Sequence, residues 1–241
     1  MSTPEPAPNP MPARLRSAAP KSPASTSTST STSASASASA SASAFASETS
    51  DLRARILEIA SALFYENGVR AVGVDLVVEA AGVAKTSLYR HFRTKDDLVV
   101  AFLEREDLDF WATWDAVAAR HADDAAAELD AHLRWIGERL ARANYRGCPQ
   151  INVAAEFAEH DHPARHVARA HMHALRARLV AIARRLDVRR PDELALQLAL
   201  LVNGAFVSSE LLASEPAARL LQASAHALVD AARAGRRAAR R

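Results

Sequence analysis

The sequence predicts an all-α protein in which a small N-terminal helical domain is followed by a larger C-terminal helical domain. From residue 51 onward, apolar residues recur three and four positions apart, which is the period of helices that bury one face. Alanine and leucine are frequent, whereas the 241 residues include only 7 glycines. No dipeptide typical of a β-hairpin turn is flanked by alternating apolar residues. The length suits one small and one larger domain packed together.

Residues 1–48 are predicted to form a disordered tail. The first part is rich in proline, and residues 25–44 pass from a Thr-Ser run into an Ala-Ser run. Such a composition cannot bury enough apolar surface to offset the entropy of ordering the backbone. A transit peptide is the competing interpretation, but arginine is sparse and no amphipathic face forms, and no apolar segment indicates a secretory signal. The sequence also leaves open that translation begins further in.

A basic segment at residues 83–95 is the basis of the functional prediction. At helical period Ala84, Leu88 and Phe92 share one face, and the segment contains no acidic residue. Its other face is cationic and rich in hydroxyl groups. Taken alone it would read as an ordinary solvated helix face, but such a face also suits DNA, whose phosphates and base edges accept hydrogen bonds. The residues predicted to bind DNA are Lys85, Thr86, Ser87, Tyr89, Arg90, His91 and Lys95.

A second helix and a tight turn are predicted immediately before this segment. Gly73 can cap a helix that continues to Ala80, and Gly82 can adopt the positive φ that a sharp reversal needs. A helix, a short glycine turn and a basic helix form a helix-turn-helix motif, here residues 73–92, whose second helix lies in the major groove. An apolar stripe on an earlier helix can cover the pair from behind: Leu52, Ile56, Ile59, Ala60, Leu63 and Phe64.

Six short blocks stand in a fixed order between Asp51 and Glu106: Ile56-Leu57-Glu58-Ile59-Ala60, Leu63-Phe64, Gly68, Ala81-Gly82-Val83, Leu88-Tyr89-Arg90-His91-Phe92 and Lys95-Asp96-Asp97-Leu98. Together they resemble the amino-terminal domain of the TetR family of transcriptional regulators. Ala84 departs from that family's usual Ser or Thr cap, which should weaken the helix start by ~1 kcal/mol. Thr86 stands where a glycine is common, so it is a candidate for an additional base contact.

The resemblance implies a DNA-binding transcriptional regulator and not an enzyme. The expected protein is a ligand-responsive repressor that binds a palindromic double-stranded DNA operator as a homodimer, although a minority of the family activate transcription. Family members usually dimerise through their last two long helices. No nucleophile elbow, phosphate loop or dinucleotide fingerprint occurs, and no cofactor is expected. The single Cys148 and the lack of a membrane-spanning stretch predict a cytoplasmic protein, associated with the bacterial nucleoid when bound to DNA.

The predicted organisation continues with a DNA-binding domain at residues 49–109, an effector-binding and dimerisation domain at 110–233 and a basic tail at 234–241. Thr94 and Asp97 resemble a capping box that opens a long helix linking the two domains. The unknown small-molecule effector is predicted to bind among apolar walls and a few polar groups. An equally weighted alternative is that the tryptophans are simply core. The candidate effector residues are Trp111, Trp114, Trp135, Cys148, Asn152, Glu156 and Phe157.

A metal-responsive regulator is the alternative reading of the second domain. Five histidines lie close together in sequence: His160, His162, His166, His171 and His173. The spacing of His162 and His166 can bind zinc or nickel on a helix. With Cys148 as the only thiol and the histidines on different faces, surface or partly buried imidazoles are the default, and no metal is expected.

Overall fold

The computed structural model describes the backbone of residues 33–208, 211 and 214–239, and the side chains of residues 49–208, 211 and 217–234. Within those residues the chain forms nine helices and no strand, which confirms the all-α prediction. The helices are α1 (Ser33–Asn67), α2 (Val74–Ala81), α3 (Lys85–His91), α4 (Lys95–Arg120), α5 (Ala125–Leu140), α6 (Pro149–Glu156), α7 (Pro163–Arg185), α8 (Pro191–Ser208) and α9 (Ser214–Ala239).

The predicted disordered tail falls partly on described residues. Residues 1–32 lie outside them, so for that part the prediction stays a prediction. Residues 33–48 differ from the prediction, because their backbone forms the first part of α1. The composition argument considered only the lack of apolar side chains, whereas alanine is also the strongest helix former. The chain divides into two units between Phe45 and Ala46, and the features described below belong to the second.

Two hydrophobic cores lie along this second unit, and α4 contributes to both. The first core is built from α1 to α4 and includes Leu98 and Phe102, together with two side chains from α6 and α7. The second core is built from α4 to α9 and includes Phe110 and Trp114. The predicted boundary at residues 109 and 110 falls between the α4 residues of the first core and those of the second. One rigid helix therefore connects the two cores.

The ends of the helices follow from local chemistry. Thr94 and Asp97 form the predicted capping box: Asp97 N–H donates to Thr94 Oγ1 at 3.0 Å, and Thr94 N–H donates to Asp97 Oδ2 at 3.1 Å. Gly68 ends α1 with a φ of +85°. The predicted basic tail is helical in its backbone as far as Ala239, and its side chains from residue 235 lie outside the described residues. Among the described helices, none combines the length and the apolar character that crossing a bilayer requires.

Candidate DNA-binding and effector sites

The turn between α2 and α3 has the geometry that the sequence predicts. Gly82 adopts φ +62° and ψ +40°, the left-handed conformation that costs glycine little. Its N–H donates to Glu79 O at 3.1 Å, and Val83 N–H donates to Val78 O at 3.0 Å. This arrangement satisfies carbonyl groups at the end of α2 and turns the chain sharply into α3. Residues 73–92 therefore form the predicted helix-turn-helix.

Helix α3 is anchored through very few side chains. Leu88 is fully buried and Phe92, at the C-cap, is almost so. Ala84, predicted to share their face, is instead exposed because it lies outside the helix as its N-cap. It makes no side-chain capping bond, as expected for alanine. The apolar back of the helix consequently consists of Leu88 and Phe92, and most of the other α3 side chains are exposed.

The predicted DNA-binding residues lie together on and beside α3. Lys85, Thr86, Tyr89 and Arg90 are exposed, whereas Ser87 and His91 are half-buried. Lys95 is also half-buried at the first position of α4, and burial lowers the pKa of its ammonium group. Six of the seven residues therefore lie on α3, and the seventh begins the next helix.

One acidic residue of α2 reaches this surface. The ammonium group of Lys85 lies 2.7 Å from Asp75 Oδ1, and both side chains are at least half exposed. The hydrogen bond to Asp75 and the attraction of its charge raise the pKa of Lys85. A phosphate approaching Lys85 would therefore have to displace this carboxylate.

The predicted tryptophans meet in the second core around Phe110. The ring of Phe110 lies 4.9 Å from Trp111, 4.9 Å from Trp135 and 6.2 Å from Trp114, measured between centroids. Trp114 is buried, and its indole stacks on His132 at 3.7 Å. Burial lowers the pKa of His132 to about 4, and the nearby positive charge of Arg178 acts in the same direction.

Cys148 belongs to this aromatic core, whereas three other predicted effector residues do not. Cys148 is the buried N-cap of α6, and burial raises the pKa of its thiol. Glu156 ends α6, eight residues and about 12 Å further along the helix. The prediction treated the segment as a single wall, but a regular helix carries its two ends to different places. Asn152, Glu156 and Phe157 consequently lie towards the first core.

Glu156 binds the loop that follows α1. Its Oε1 accepts from Val69 N–H at 3.1 Å and its Oε2 accepts from Arg70 N–H at 2.7 Å. A Cβ atom added to Gly68 would lie 3.1 Å from Glu156 Oε1, so the approach is close. Phe157 stacks on His162 at 3.7 Å, and the Arg70 guanidinium lies 5.5 Å above the Phe157 ring. The end of α6 is therefore bound to the loop between α1 and α2, directly before the helix-turn-helix.

The loop before α6 is attached to the end of α1 through Tyr65. Arg146 N–H donates to Tyr65 Oη at 2.9 Å, and Tyr65 O–H donates to Gly147 O at 3.3 Å. Asn152 Nδ2 donates to Arg146 O at 2.6 Å and holds the loop in shape. Tyr65, Arg146, Asn152 and Glu156 all line a pocket of about 310 Å³ at this junction.

Two further pockets adjoin the aromatic core and share Glu106 and Arg139. The outer pocket has a volume of about 330 Å³ and includes Trp135 and Tyr145. The inner cavity is about 10 Å³ and is lined by Phe110, Cys148, Gln150, His171 and Phe206 as well as the shared pair. Arg139 Nη2 lies 3.6 Å from Glu106 Oε2, and burial raises the pKa of Glu106.

Comparison with known proteins decides the family. The family profile described as bacterial regulatory proteins, tetR family, matches residues 56–102. The crystal structure of a TetR transcriptional regulator from Streptomyces avermitilis is 30% identical, with 75% of this chain and 97% of that chain covered and a TM-score of 0.62. The chain belongs to the TetR family. A TetR-family regulator from Streptomyces coelicolor is 26% identical, with 76% and 96% of the two chains covered and a TM-score of 0.73.

A curated relative matches over a shorter stretch. The transcriptional repressor KstR2 of Mycobacterium tuberculosis is 39% identical over 54 residues, which are 22% of this chain and 27% of KstR2. The alignment thus spans about a quarter of the relative's length. The TetR assignment agrees with the predicted resemblance, and the proteins to which the chain is similar are described as regulators, which supports the expectation that it is not an enzyme.

Sequence reasoning missed several polar residues that line the inner cavity of this TetR protein. Glu106, Asp107, Arg139 and Gln150 all line the inner cavity, and none was a candidate. A signal was present for two of them, because Glu106 and Asp107 precede Phe110 and Trp111 by four residues and so share their helix face. Arg139 and Gln150 carry no comparable signal, since their proximity depends on the packing of α5 and α6 against α4.

The histidines considered for a metal site lie in different parts of the structure. His162 is the N-cap of α7, with Nδ1 accepting from Ala164 N–H at 3.2 Å, whereas His171 is buried beside Asp107. His166 Nε2 lies 3.2 Å from Asp161 O. In the part of the chain that the structure describes, no three His, Cys, Asp or Glu side chains are placed to hold a metal ion together.

Proposed function

We propose that the protein is a ligand-responsive transcriptional repressor that binds a palindromic DNA operator as a homodimer in the cytoplasm. The observation that carries this proposal is the attachment of α6 at both of its ends. Cys148 at the start of α6 is buried in the aromatic core, and Glu156 at its end holds the backbone of Val69 and Arg70. A ligand among the aromatic residues would therefore act on a helix whose other end is fixed to the loop that leads into the helix-turn-helix.

Operator binding would use the exposed face of α3 in the major groove. Lys85, Arg90 and Lys95 would neutralise phosphates and contribute most of the salt-dependent affinity. Thr86 is exposed on the first turn of α3, where side chains reach base edges, and it would contribute to sequence preference.

Effector binding would release the operator by shifting a population. To do so, the effector must bind more tightly to the form that does not fit DNA, and a coupling of ~1–3 kcal/mol is typical. The connections available are α4, which belongs to both cores, and α6 with its Glu156 contacts. Movement of either helix would change the spacing of two recognition helices in a dimer.

A second copy of the chain is the proposed partner of α8 and α9. Large apolar side chains are exposed along both helices, and Leu200 is 66% exposed. Monomeric proteins rarely expose clustered apolar side chains of this size. The others on these two helices are Leu196, Val207 and Leu220. A two-fold dimer would present two α3 helices to half-sites about one helical turn or more apart.

Selection of bound fragments from a random DNA pool tests the operator proposal. We expect near-palindromic sequences, and bound sequences without dyad symmetry would contradict the dimer. In titrations on the selected site, Lys95→Ala should reduce the slope of log affinity against log salt by about one. Thr86→Ala should instead relax preference at one base position. Arg120→Ala is the matched control, because it removes a positive charge from the far end of the same helix, α4.

A reporter gene placed behind the selected operator tests the direction of regulation. We expect the protein to lower expression, in agreement with the description of KstR2 as a repressor. Higher expression in the presence of the protein would make it an activator, the alternative that the family resemblance left open.

A further inference from the structure

Two residues that line the inner cavity beside Phe110 each have a buried polar atom without a partner. The cavity is lined from α4, α5, α7, α8 and the start of α6, and its volume of about 10 Å³ is close to that of one water-sized probe. Gln150 and His171 both line it, and each side chain is only 2% exposed. Within the described part of the chain, Gln150 Oε1 and His171 Nε2 have no hydrogen-bond partner.

The orientation of the Gln150 amide is fixed by its neighbours. Its Nε2 donates to Leu103 O at 2.9 Å and to Asp107 Oδ1 at 2.8 Å. A backbone carbonyl and a carboxylate can only accept, so the nitrogen must occupy this position and both of its hydrogens are used. Oε1 is therefore an acceptor that faces away from these partners and has none of its own.

The His171 tautomer follows from the same carboxylate. His171 Nδ1 lies 2.7 Å from Asp107 Oδ1, so the proton on Nδ1 is donated to that oxygen. In the neutral ring, Nε2 is then the second acceptor of the cavity. Buried acceptors without donors are uncommon in proteins, because burial removes the water that would otherwise satisfy them. Two in one cavity indicate a ligand group that supplies donors.

The charged groups around the cavity disfavour a charged ligand group of either sign. Glu106 is paired with Arg139, and Asp107 Oδ1 already accepts from both Gln150 and His171. An anionic group would be desolvated beside the Asp107 carboxylate, and a cationic group would be desolvated beside the Arg139 guanidinium. The remaining walls, Phe110 and Phe206 among them, are apolar. The site therefore favours an uncharged donor on an apolar body.

We propose that the inner cavity binds the head group of the effector, and that this effector is an uncharged molecule presenting a hydroxyl group from an apolar body. This inference rests on the proposed ligand-responsive function. The Glu106–Arg139 pair lines both the inner cavity and the outer pocket of about 330 Å³. In the proposed complex this pair separates and the two spaces join. The apolar body then lies against Phe110 and Trp135 while the hydroxyl donates to His171 Nε2.

A series of matched probes tests the head-group chemistry on the full chain. Cyclohexanol donates a hydrogen bond, methoxycyclohexane only accepts one, and cyclohexanecarboxylate and cyclohexylammonium carry opposite charges. Binding is measured by tryptophan fluorescence and by the shift in melting temperature at millimolar probe concentrations. We expect cyclohexanol to bind at least about twofold more tightly than each of the others, since a neutral hydrogen bond corresponds to about two- to twelvefold in affinity.

A substitution that removes one acceptor identifies the site. In His171→Asn, the new amide can still donate to Asp107 while Nε2 is lost. Cyclohexanol affinity should fall by about two- to twelvefold with little change for methoxycyclohexane. His173→Asn is the matched control, because it makes the same change at an exposed position of α7 and should leave both affinities unaltered.

The wild-type series decides the proposal even if His171→Asn does not fold. Equal binding of the alcohol and the ether, tighter binding of a charged probe, or no binding of any probe would overturn it. Release of operator DNA by cyclohexanol is measured in parallel and tests the proposed function separately. Alcohol-selective binding without release would uphold the head-group site and contradict ligand-responsive repression. Operator binding without alcohol selectivity would contradict the head-group site alone.

Discussion

The recognition surface exposes its polar groups to solvent, whereas the aromatic core buries them. On α3, Lys85 and Arg90 are exposed, and Lys85 pairs with Asp75, which is only ten residues away in sequence. In the aromatic core, His132 and His171 are buried. The partner of His171, Asp107, is 64 residues away in sequence. Exposed groups can exchange water for phosphate at little cost, whereas buried groups must be satisfied by a fixed partner or a fitted ligand. The first region is therefore suited to salt-dependent binding and the second to selective recognition.

The comparison also implies a division of stability. Exposed side chains of α3 should contribute little to the free energy of unfolding, and buried side chains of either region should contribute most of it. The burial of a side chain, and not the region to which it belongs, should therefore decide how much its substitution lowers the free energy of unfolding.

Leu88→Ala should have the largest effect and tests this statement within the recognition helix itself. Leu88 is fully buried in the first core, and its truncation should cost about 2–5 kcal/mol of unfolding free energy. Operator affinity should fall with it, because α3 would lose its anchor. The exposed neighbour Tyr89 provides the control: Tyr89→Ala should lower operator affinity while the melting temperature changes little. Equal destabilisation by both would show that α3 is held by its outer face.

Lowering the pH should destabilise the aromatic core first, and the recognition surface should stay folded until that core unfolds. The pKa of His132 is lowered to about 4 by burial, compared with 6.5 in an unfolded chain. The unfolded state therefore binds more protons between these values, so the stabilisation is complete above pH 6.5 and is lost as pH falls towards 4. The full contribution is about 3 kcal/mol at 1.36 kcal/mol per pKa unit.

His132→Phe checks this prediction, because phenylalanine can stack on Trp114 and does not titrate. Melting temperatures measured from neutral pH down to about pH 4 should fall less steeply in the variant than in the wild type. Parallel acid profiles of the two proteins would show that His132 is not the group responsible.

Glu156→Gln tests the connection between the two regions. A glutamine oxygen can replace only one of the two acceptors that bind Val69 and Arg70. The NH2 group of the glutamine would then face the other backbone N–H, so that two donors oppose each other. We expect a loss of about 1–2 kcal/mol in stability and weaker operator affinity, because the loop after α1 loses its support. Glu159→Gln, an exposed change just beyond α6, is the control. If Glu156→Gln altered only the effector concentration needed for release, Glu156 would be an effector ligand as the sequence suggested.

The fold of the helix-turn-helix and of the start of α4 was predictable because it depends on residues that are close in sequence. Gly82 at the turn, the Thr94 and Asp97 capping box, and Leu88 facing inward all follow from residues within a few positions of one another. Ala84 is the N-cap, as the family resemblance implies, but the periodicity argument wrongly placed it on the buried face, because helix boundaries are the least secure feature of such an argument. Helix start and end signals therefore sufficed for the fold of this part and for the position of its basic face.

The contacts of the aromatic core and of α6 were only partly predictable, because they join residues that are distant in sequence. That tryptophans on α4 and α5 would meet follows from their apolar faces, and the structure brings Trp111, Trp114 and Trp135 together. Glu156 binds backbone groups 86 and 87 residues away, and no spacing within α6 indicates that. The pairing of Asp107 with His171 likewise depends on how α4 and α7 cross. Side-chain patterns identify which faces are buried but not which polar groups meet there.

The smallest expected effect concerns Asp75, the one acidic side chain in contact with Lys85 on the recognition surface of the described chain. In the free protein Asp75 lies 2.7 Å from the Lys85 ammonium group, with both groups largely exposed to solvent. Exposed pairs of this kind contribute little to folding, so Asp75→Asn should leave the melting temperature nearly unchanged.

DNA binding should nevertheless respond to this change. Removal of the carboxylate frees Lys85 for phosphate and removes a negative charge near the DNA, so operator affinity should rise by up to about fivefold at low salt, with the gain shrinking as salt increases. Titrations at several salt concentrations measure both. The exposed Glu79 of the same helix gives the control, because Glu79→Asn removes an equal charge away from the Lys85 contact. A fall in affinity for Asp75→Asn would mean that Asp75 positions Lys85 for the operator, and the exposed surface would then depend on fixed partners just as the aromatic core does.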